Sequence, residues 1–174
     1  MDAQILATKL YPPPLPPDAV VRPRLLERLD AGADRRLVLV CAPAGFGKTT
    51  LVRAWLATRD DAIAWVSLDD ADVDPTRFLV HLVAALREAV PQVGEAAIRD
   101  LAGPDPRPHA AVVTALLNDL AALDARVTLV LDDAHAAESA AVDDLVTRLL
   151  ERLPASVRLV VTTRQDPAWP LCRK

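Results

Sequence analysis

The sequence predicts an α/β fold with a parallel sheet, and three observations predict it. Apolar runs of strand length at about 37–41, 62–68, 127–131 and 157–161 read as buried strands. Between them lie stretches with apolar residues at helical spacing, which parallel strands need for their crossovers. Three of the runs also end in residues suited to chemistry: a glycine-containing turn with a lysine, then Asp132-Asp133, then Thr162-Thr163-Arg164. Open α/β sheets bind ligands at the carboxyl ends of their strands, so these endings belong to one edge.

The chain has 174 residues, enough for one domain with a sizeable core. Apolar residues make up 52% and aromatics only 3%, so that core is aliphatic and helix-rich. A net charge of −4 offers no electrostatic footprint for nucleic acid, and direct nucleic-acid binding by this segment is not expected. Cys41 and Cys172 have no metal-ligand spacing and suggest no disulfide framework. Cys41 reads as a buried strand residue, consistent with a reducing cytoplasm. No charged-then-apolar leader opens the chain and no apolar run approaches membrane-spanning length, so a soluble cytoplasmic domain without membrane contact is expected.

Residues 1–21 read as a Pro-rich N-terminal arm, because five prolines between positions 12 and 17 enforce an extended conformation without internal hydrogen bonds. Pro23 stands at a first helical position, Leu25, Leu26 and Leu29 share one face, and Gly32 can stop the helix. Arg22, Arg24, Arg28, Arg35 and Arg36 are not interleaved with aromatics and read mostly as a solvated face. The first strand, at 37–41, is followed by the glycine-containing loop and a helix to about Arg59. Acidic turns bound the second strand, and Asp74-Pro75 is a strong start for a helix to about Val90. On that helix His81 reads as a packed or surface residue rather than a ligand. Residues 91–108 hold Gly94, Gly103, Pro104 and Pro106 and read as a connector with one helical turn set in it. Helical spacing returns at 109–123 and at 139–153, where Pro154 closes it.

Ala42-Pro43-Ala44-Gly45-Phe46-Gly47-Lys48-Thr49, lying between a strand and a helix, has the context of a phosphate-binding P-loop. Gly45 and Gly47 let backbone N–H groups turn inward on an anion, and the helix start adds the positive end of its dipole. Lys48 can reach the β- and γ-phosphates, and Thr49 can ligate Mg²⁺. The candidate nucleotide contacts are therefore Ala44, Gly45, Phe46, Gly47, Lys48, Thr49 and Thr50. Ala42 departs from the usual pattern, which has glycine there; alanine is small enough to serve unless positive φ is needed. Downstream, a hydrophobic strand ending in Asp132-Asp133 has the form of a Walker B element. One carboxylate would hold the metal's shell and the other would direct water. His135 reads as a supporting or surface residue.

Together these stretches resemble the STAND signal-transduction ATPases, relatives of the AAA+ proteins. More narrowly they resemble the N-terminal ATPase module of the large LuxR-type, MalT-like, transcriptional regulators. The resemblance rests on Thr8-Lys9-Leu10, Val21-Arg22-Pro23-Arg24-Leu25-Leu26, the P-loop through Leu51, Ala64-Trp65-Val66-Ser67-Leu68-Asp69, Asp74-Pro75-Thr76-Arg77-Phe78, Leu129 to His135, and Thr162-Thr163-Arg164. It implies a P-loop NTPase three-layer sandwich, with residues 22–174 as an ATPase core that is C-terminally incomplete. The strand order it implies is 5-1-4-3-2. The ten residues after Arg164 contain two prolines and leave no room for a crossover helix and a further strand, so strand 5 is expected to be missing and strand 1 to lie at the edge.

The resemblance also implies roles. Lys48 and Thr49 would serve phosphate and Mg²⁺, Asp132 the metal, Asp133 the attacking water, and Arg164 would sense the γ-phosphate. Val21 and Arg22 would lie beside the adenine. ATP and ADP with Mg²⁺ are the implied ligands, and self-association or C-terminal domains the implied partners. The reading is an ATP-binding switch with weak hydrolysis; a small-molecule or nucleotide kinase and a non-hydrolysing ATP-bound scaffold are the alternatives.

Overall fold

The structure is a computed structural model that describes residues 5–17, 19–20, 22–103, 106–167 and 169. Helix α1 (Pro23–Ala31) leads into strand β1 (Leu37–Cys41), followed by α2 (Lys48–Leu56) and β2 (Ala62–Ser67). Then come α3 (Pro75–Ala89), α4 (Glu95–Ala102), α5 (His109–Ala121), β3 (Val127–Asp132), α6 (Ala140–Arg152) and β4 (Val157–Thr163). All strand pairs are parallel and the order is β1-β4-β3-β2. This is the order expected for strands 1 to 4. Among the described residues β1 pairs with β4 alone, and Leu37, Leu39 and Val40 are only half-buried.

Strand alternation sorts the apolar side chains onto two faces. Val38, Trp65, Val130 and Val160 pack with Val52, Trp55 and Leu56 of α2, with Leu26 and Leu29 of α1 against them. Ala64, Val66, Leu129, Leu131, Leu159 and Val161 pack under α3, α5 and α6, through Leu79, Leu82, Leu116, Leu145 and Leu149. The result is three layers, helix on sheet on helix. Each fully buried leucine or valine contributes about 1.5–3 kcal/mol relative to an exposed one, so β3, buried at every residue, anchors the sheet.

Helix starts follow their signals. Asp74 accepts from the Arg77 amide at 2.8 Å before α3, and Ser139 accepts from the Val142 amide at 3.3 Å before α6. Within the connector expected at 91–108, residues 91–103 are more regular than their glycines suggest. Within it α4 forms eight residues of helix, with Ala97 fully buried, and the Gly94 amide before it donates to Asp119 at 2.8 Å. Packing on α5 stabilises a helix too short to hold by itself.

Two further differences follow from tertiary context. Cys41, expected to be buried, is exposed, because it ends an outer strand at the sheet's carboxyl edge. The prolines at 13–17 are exposed, as a surface arm requires, yet the residues before them are docked. Ala7–Leu10 form a 3-10 turn that buries Lys9 and Leu10. The Lys9 ammonium donates to Asp72 and pairs with Asp69 at 2.9 Å. Asp72 also meets His81 Nδ1 at 2.7 Å. Burial pushes the Asp72 carboxyl up, but the hydrogen bonds from His81 and Lys9 outweigh it and hold the group well below the usual range. Of the two expected placements, packed or surface, His81 takes the packed one, with the Asp72 carboxylate as its partner.

Candidate functional site

The site forms where β1, β3 and β4 end. The loop after β1 is tied to β4 by the Ala42 amide, which donates to the Thr163 carbonyl at 3.2 Å. It then turns through Gly45 and Gly47, both left-handed, at φ 79° and 75°. Among the described residues nothing lies within 4 Å of a Cβ built on either glycine, so backbone conformation rather than crowding demands glycine there. Ala44 and Phe46 are exposed on the loop. Gly47 is the N-cap of α2 and among the described residues no side chain caps that helix, so its first N–H groups stay available to an anion.

Lys48 is 8% exposed, and its ammonium donates to the Pro43 carbonyl at 3.3 Å, so its charge stays inside the loop. Thr49 turns the other way. Its hydroxyl donates to the Asp132 carboxylate, with distances of 2.9 and 3.1 Å to the two oxygens. Thr50 is half-buried on the first turn of α2. Asp132, the last residue of β3, is 4% exposed and accepts a second hydrogen bond, at 2.6 Å, from the Thr162 hydroxyl of β4. Thr162 in turn accepts from the Asp133 amide at 2.9 Å. One threonine thus fixes both members of the acid pair.

Asp133 is the one non-glycine residue with positive φ among those described, at φ 55° and ψ 43°. A left-handed aspartate costs conformational energy and points to a functional constraint. Its side chain is 44% exposed and lies 3.9 Å from His135 Nδ1, a nitrogen with no hydrogen-bond partner among the described residues. The two aspartates therefore differ: Asp132 is sunk between two hydroxyls, and Asp133 faces outward.

Burial raises the Asp132 pKa above the ordinary carboxylate value, and Asp133 adds to the rise. The Thr162 and Thr49 hydrogen bonds and the nearby Lys48 charge oppose it without prevailing. A buried carboxylate whose charge lacks a full partner, beside a threonine hydroxyl, is an oxygen donor set suited to Mg²⁺. These residues fit a small hard cation beside the N–H groups at the start of α2.

The structure brings Lys48, Thr49, Asp132 and Asp133 to one edge. Arg164 is just past β4, exposed and without an ion pair among the described residues. Arg22 precedes α1, and its side chain is exposed and makes no hydrogen bond among the described residues; Val21 lies outside them. Sequence reasoning missed Thr162. Its signal was present in the paired threonines before Arg164, but its target is fixed only by the β3–β4 register, which aligns Leu131 with Val161.

Residues 23–162 match the family described as AAA ATPase domain. The chain belongs to that family. Among relatives of this AAA ATPase domain are the HTH-type transcriptional regulators MalT of Serratia proteamaculans, 46% identical over 85 residues, and of Yersinia enterocolitica, 44% identical over 85 residues. Each match covers 49% of this chain and 9% of the relative, so the chain spans a small part of those proteins. The sequence resemblance to a MalT-like P-loop ATPase module holds. Among solved structures, Cdc6p from Pyrobaculum aerophilum aligns with a TM-score of 0.58 at 17% identity, covering 93% of this chain and 44% of that one. A Drosophila ORC structure with AT-rich DNA and Cdc6 aligns at 0.53 and 10% identity, covering 87% and 48%. At those identities the likeness is one of fold. No described helix is long and apolar enough to cross a membrane.

Proposed function

We propose that this domain is the ATP-binding switch of a signal-responsive LuxR-type transcriptional regulator of the STAND class, binding ATP and ADP with Mg²⁺ and hydrolysing ATP slowly. The observation that carries the reading is the Thr49–Asp132 contact at 2.9 Å. It joins the start of the P-loop helix to the Walker B strand end, where a phosphate-bound metal sits in such sites.

In this reading the N–H groups around Gly45 and Gly47 cradle the phosphates, flanked by Ala44, Phe46 and Thr50, and Lys48 swings from the Pro43 carbonyl onto them. Thr49 and Asp132 would hold Mg²⁺, which neutralises charge on the phosphate oxygens when bound. Asp133, outward-facing, orients the attacking water, and Arg164 closes on the γ-phosphate. Val21 and Arg22 flank the adenine. The half-covered edge of β1 favours pairing with further chain or a second copy, which suits a module whose nucleotide state controls self-association. Inducer and DNA recognition are assigned to other domains, and the cytoplasm is the compartment this role requires.

The test is ATP turnover measured with and without small-molecule and nucleotide acceptors. Slow hydrolysis that is indifferent to acceptors supports the switch. Transfer to an acceptor would make the domain a kinase, and tight binding without turnover would make it a scaffold.

A further inference from the structure

At the end of the sheet opposite the P-loop, arginine is concentrated. A recess of about 80 Å³ lies between the starts of β3 and β4 and the segment leading into β1. Arg35, Arg36, Arg126 and Arg158 line it, together with Asp34 and Asp61. In a chain of net charge −4 this is a local reversal of sign.

Arg158 forms the fixed base. It is 8% exposed, and it donates through Nη1 to Asp61 at 3.2 Å and through Nη2 to the Ala33 carbonyl. Its guanidinium lies 5.6 Å from the centre of the Trp55 ring. Asp61 is shared: Arg59 also reaches it at 3.3 Å, and the Thr128 hydroxyl donates to it at 2.9 Å. Asp61 thus faces two guanidiniums, of which Arg59 also pairs with Asp30 at 3.6 Å, and among the described residues the buried Arg158 Nε has no hydrogen-bond partner. Burial and the like charges of Arg59 and Arg126 lower the Arg158 pKa from its ordinary value. A guanidinium keeps its proton regardless, so the lining sets four arginine charges against the two carboxylates of Asp34 and Asp61.

The Arg158–Asp61–Trp55 stack accounts for the base as a structural clamp. It does not account for Arg35, Arg36 and Arg126, which are exposed around the mouth. A water needs about 10–15 Å³ of such space, so the recess takes several waters or one tetrahedral oxyanion, and it is too small for a nucleoside. Planar guanidinium forks match phosphate oxygens in pairs. We propose that this recess is a second anion site that takes a phosphate group, Arg36 and Arg126 closing on it from the rim over Arg158. Arg158 shares β4 with Thr162, the residue that fixes the acid pair, about 13 Å along the strand.

The test titrates inorganic phosphate, at constant ionic strength in chloride, into Lys48→Ala protein so that the P-loop does not compete. Saturable binding at one site is expected. An Arg36→Ala/Arg126→Ala double variant should weaken it at least tenfold. An Arg24→Ala/Arg28→Ala variant removes the same charge from exposed positions on α1 and should leave it unchanged. Repeating the titration with glycerol 3-phosphate tells a phosphate ester from the free ion, and uptake of either supports the site. Absence of saturable binding of both probes, or equal weakening in both double variants, would overturn the proposal.

Discussion

Replacing Asp132 by asparagine separates a metal-binding role from a structural one. The carboxylate is 4% exposed and accepts from Thr49 at 2.9 Å and from Thr162 at 2.6 Å. Asparagine keeps the shape and one acceptor oxygen, so the variant loses about one hydrogen bond, worth roughly 1 kcal/mol net. Against this, it removes a buried charge. The folded pKa of Asp132 is raised, so its stabilising contribution is full below the unfolded carboxylate value and is lost as pH rises through the folded one. At neutral pH the ionised group is a cost, and its removal offsets the lost hydrogen bond. Without metal or nucleotide the thermal midpoint should therefore move by no more than about 4 °C, the shift for about 1 kcal/mol in a chain of this size. ATP affinity in excess Mg²⁺ should fall at least tenfold, about 1.4 kcal/mol, while affinity in a chelator is retained. Calorimetric ATP titrations in both buffers, with scanning calorimetry of the free protein, measure these quantities. An unchanged Mg²⁺ enhancement, or a midpoint loss beyond about 8 °C without ligand, would refute the reasoning.

Lys48→Ala should weaken ATP binding by about 1.5–3 kcal/mol or more, the worth of a charge-assisted contact, with the thermal midpoint little changed because the side chain's one hydrogen bond among the described residues is 3.3 Å long; titration calorimetry reads the first and scanning calorimetry the second. Asp133→Asn should keep ATP and Mg²⁺ binding and slow hydrolysis, since this carboxylate faces outward; a loss of binding equal to that of the Asp132 variant would contradict the division of roles. Asp72→Asn should destabilise the fold by about 1–3 kcal/mol in urea titrations, because the buried Lys9 ammonium keeps only Asp69 as a carboxylate partner and His81 loses its charged one. The depressed Asp72 pKa adds stability above the unfolded value of about 3.9 that is lost as pH falls below it toward the folded value. Wild-type stability should therefore decline below about pH 4 more steeply than that of the variant.

The sequence by itself determined what depends on neighbours in the chain. Strand-length apolar runs, helical spacing and the Asp74-Pro75 start are written within a few residues of the elements they specify. So is the P-loop, because a glycine at positive φ before a lysine needs no distant partner to declare itself. Tertiary structure alone decided the rest, because it depends on which strand lies beside which. Thr162 reaches Asp132 only through the β3–β4 register. Lys9 finds Asp72 across 63 residues, and Arg158 finds Asp61 across 97. Cys41 is exposed because β1 is an outer strand, and α4 holds because α5 covers it. A buried charge is tolerable only beside its counterpart, and no local pattern records where that counterpart will be.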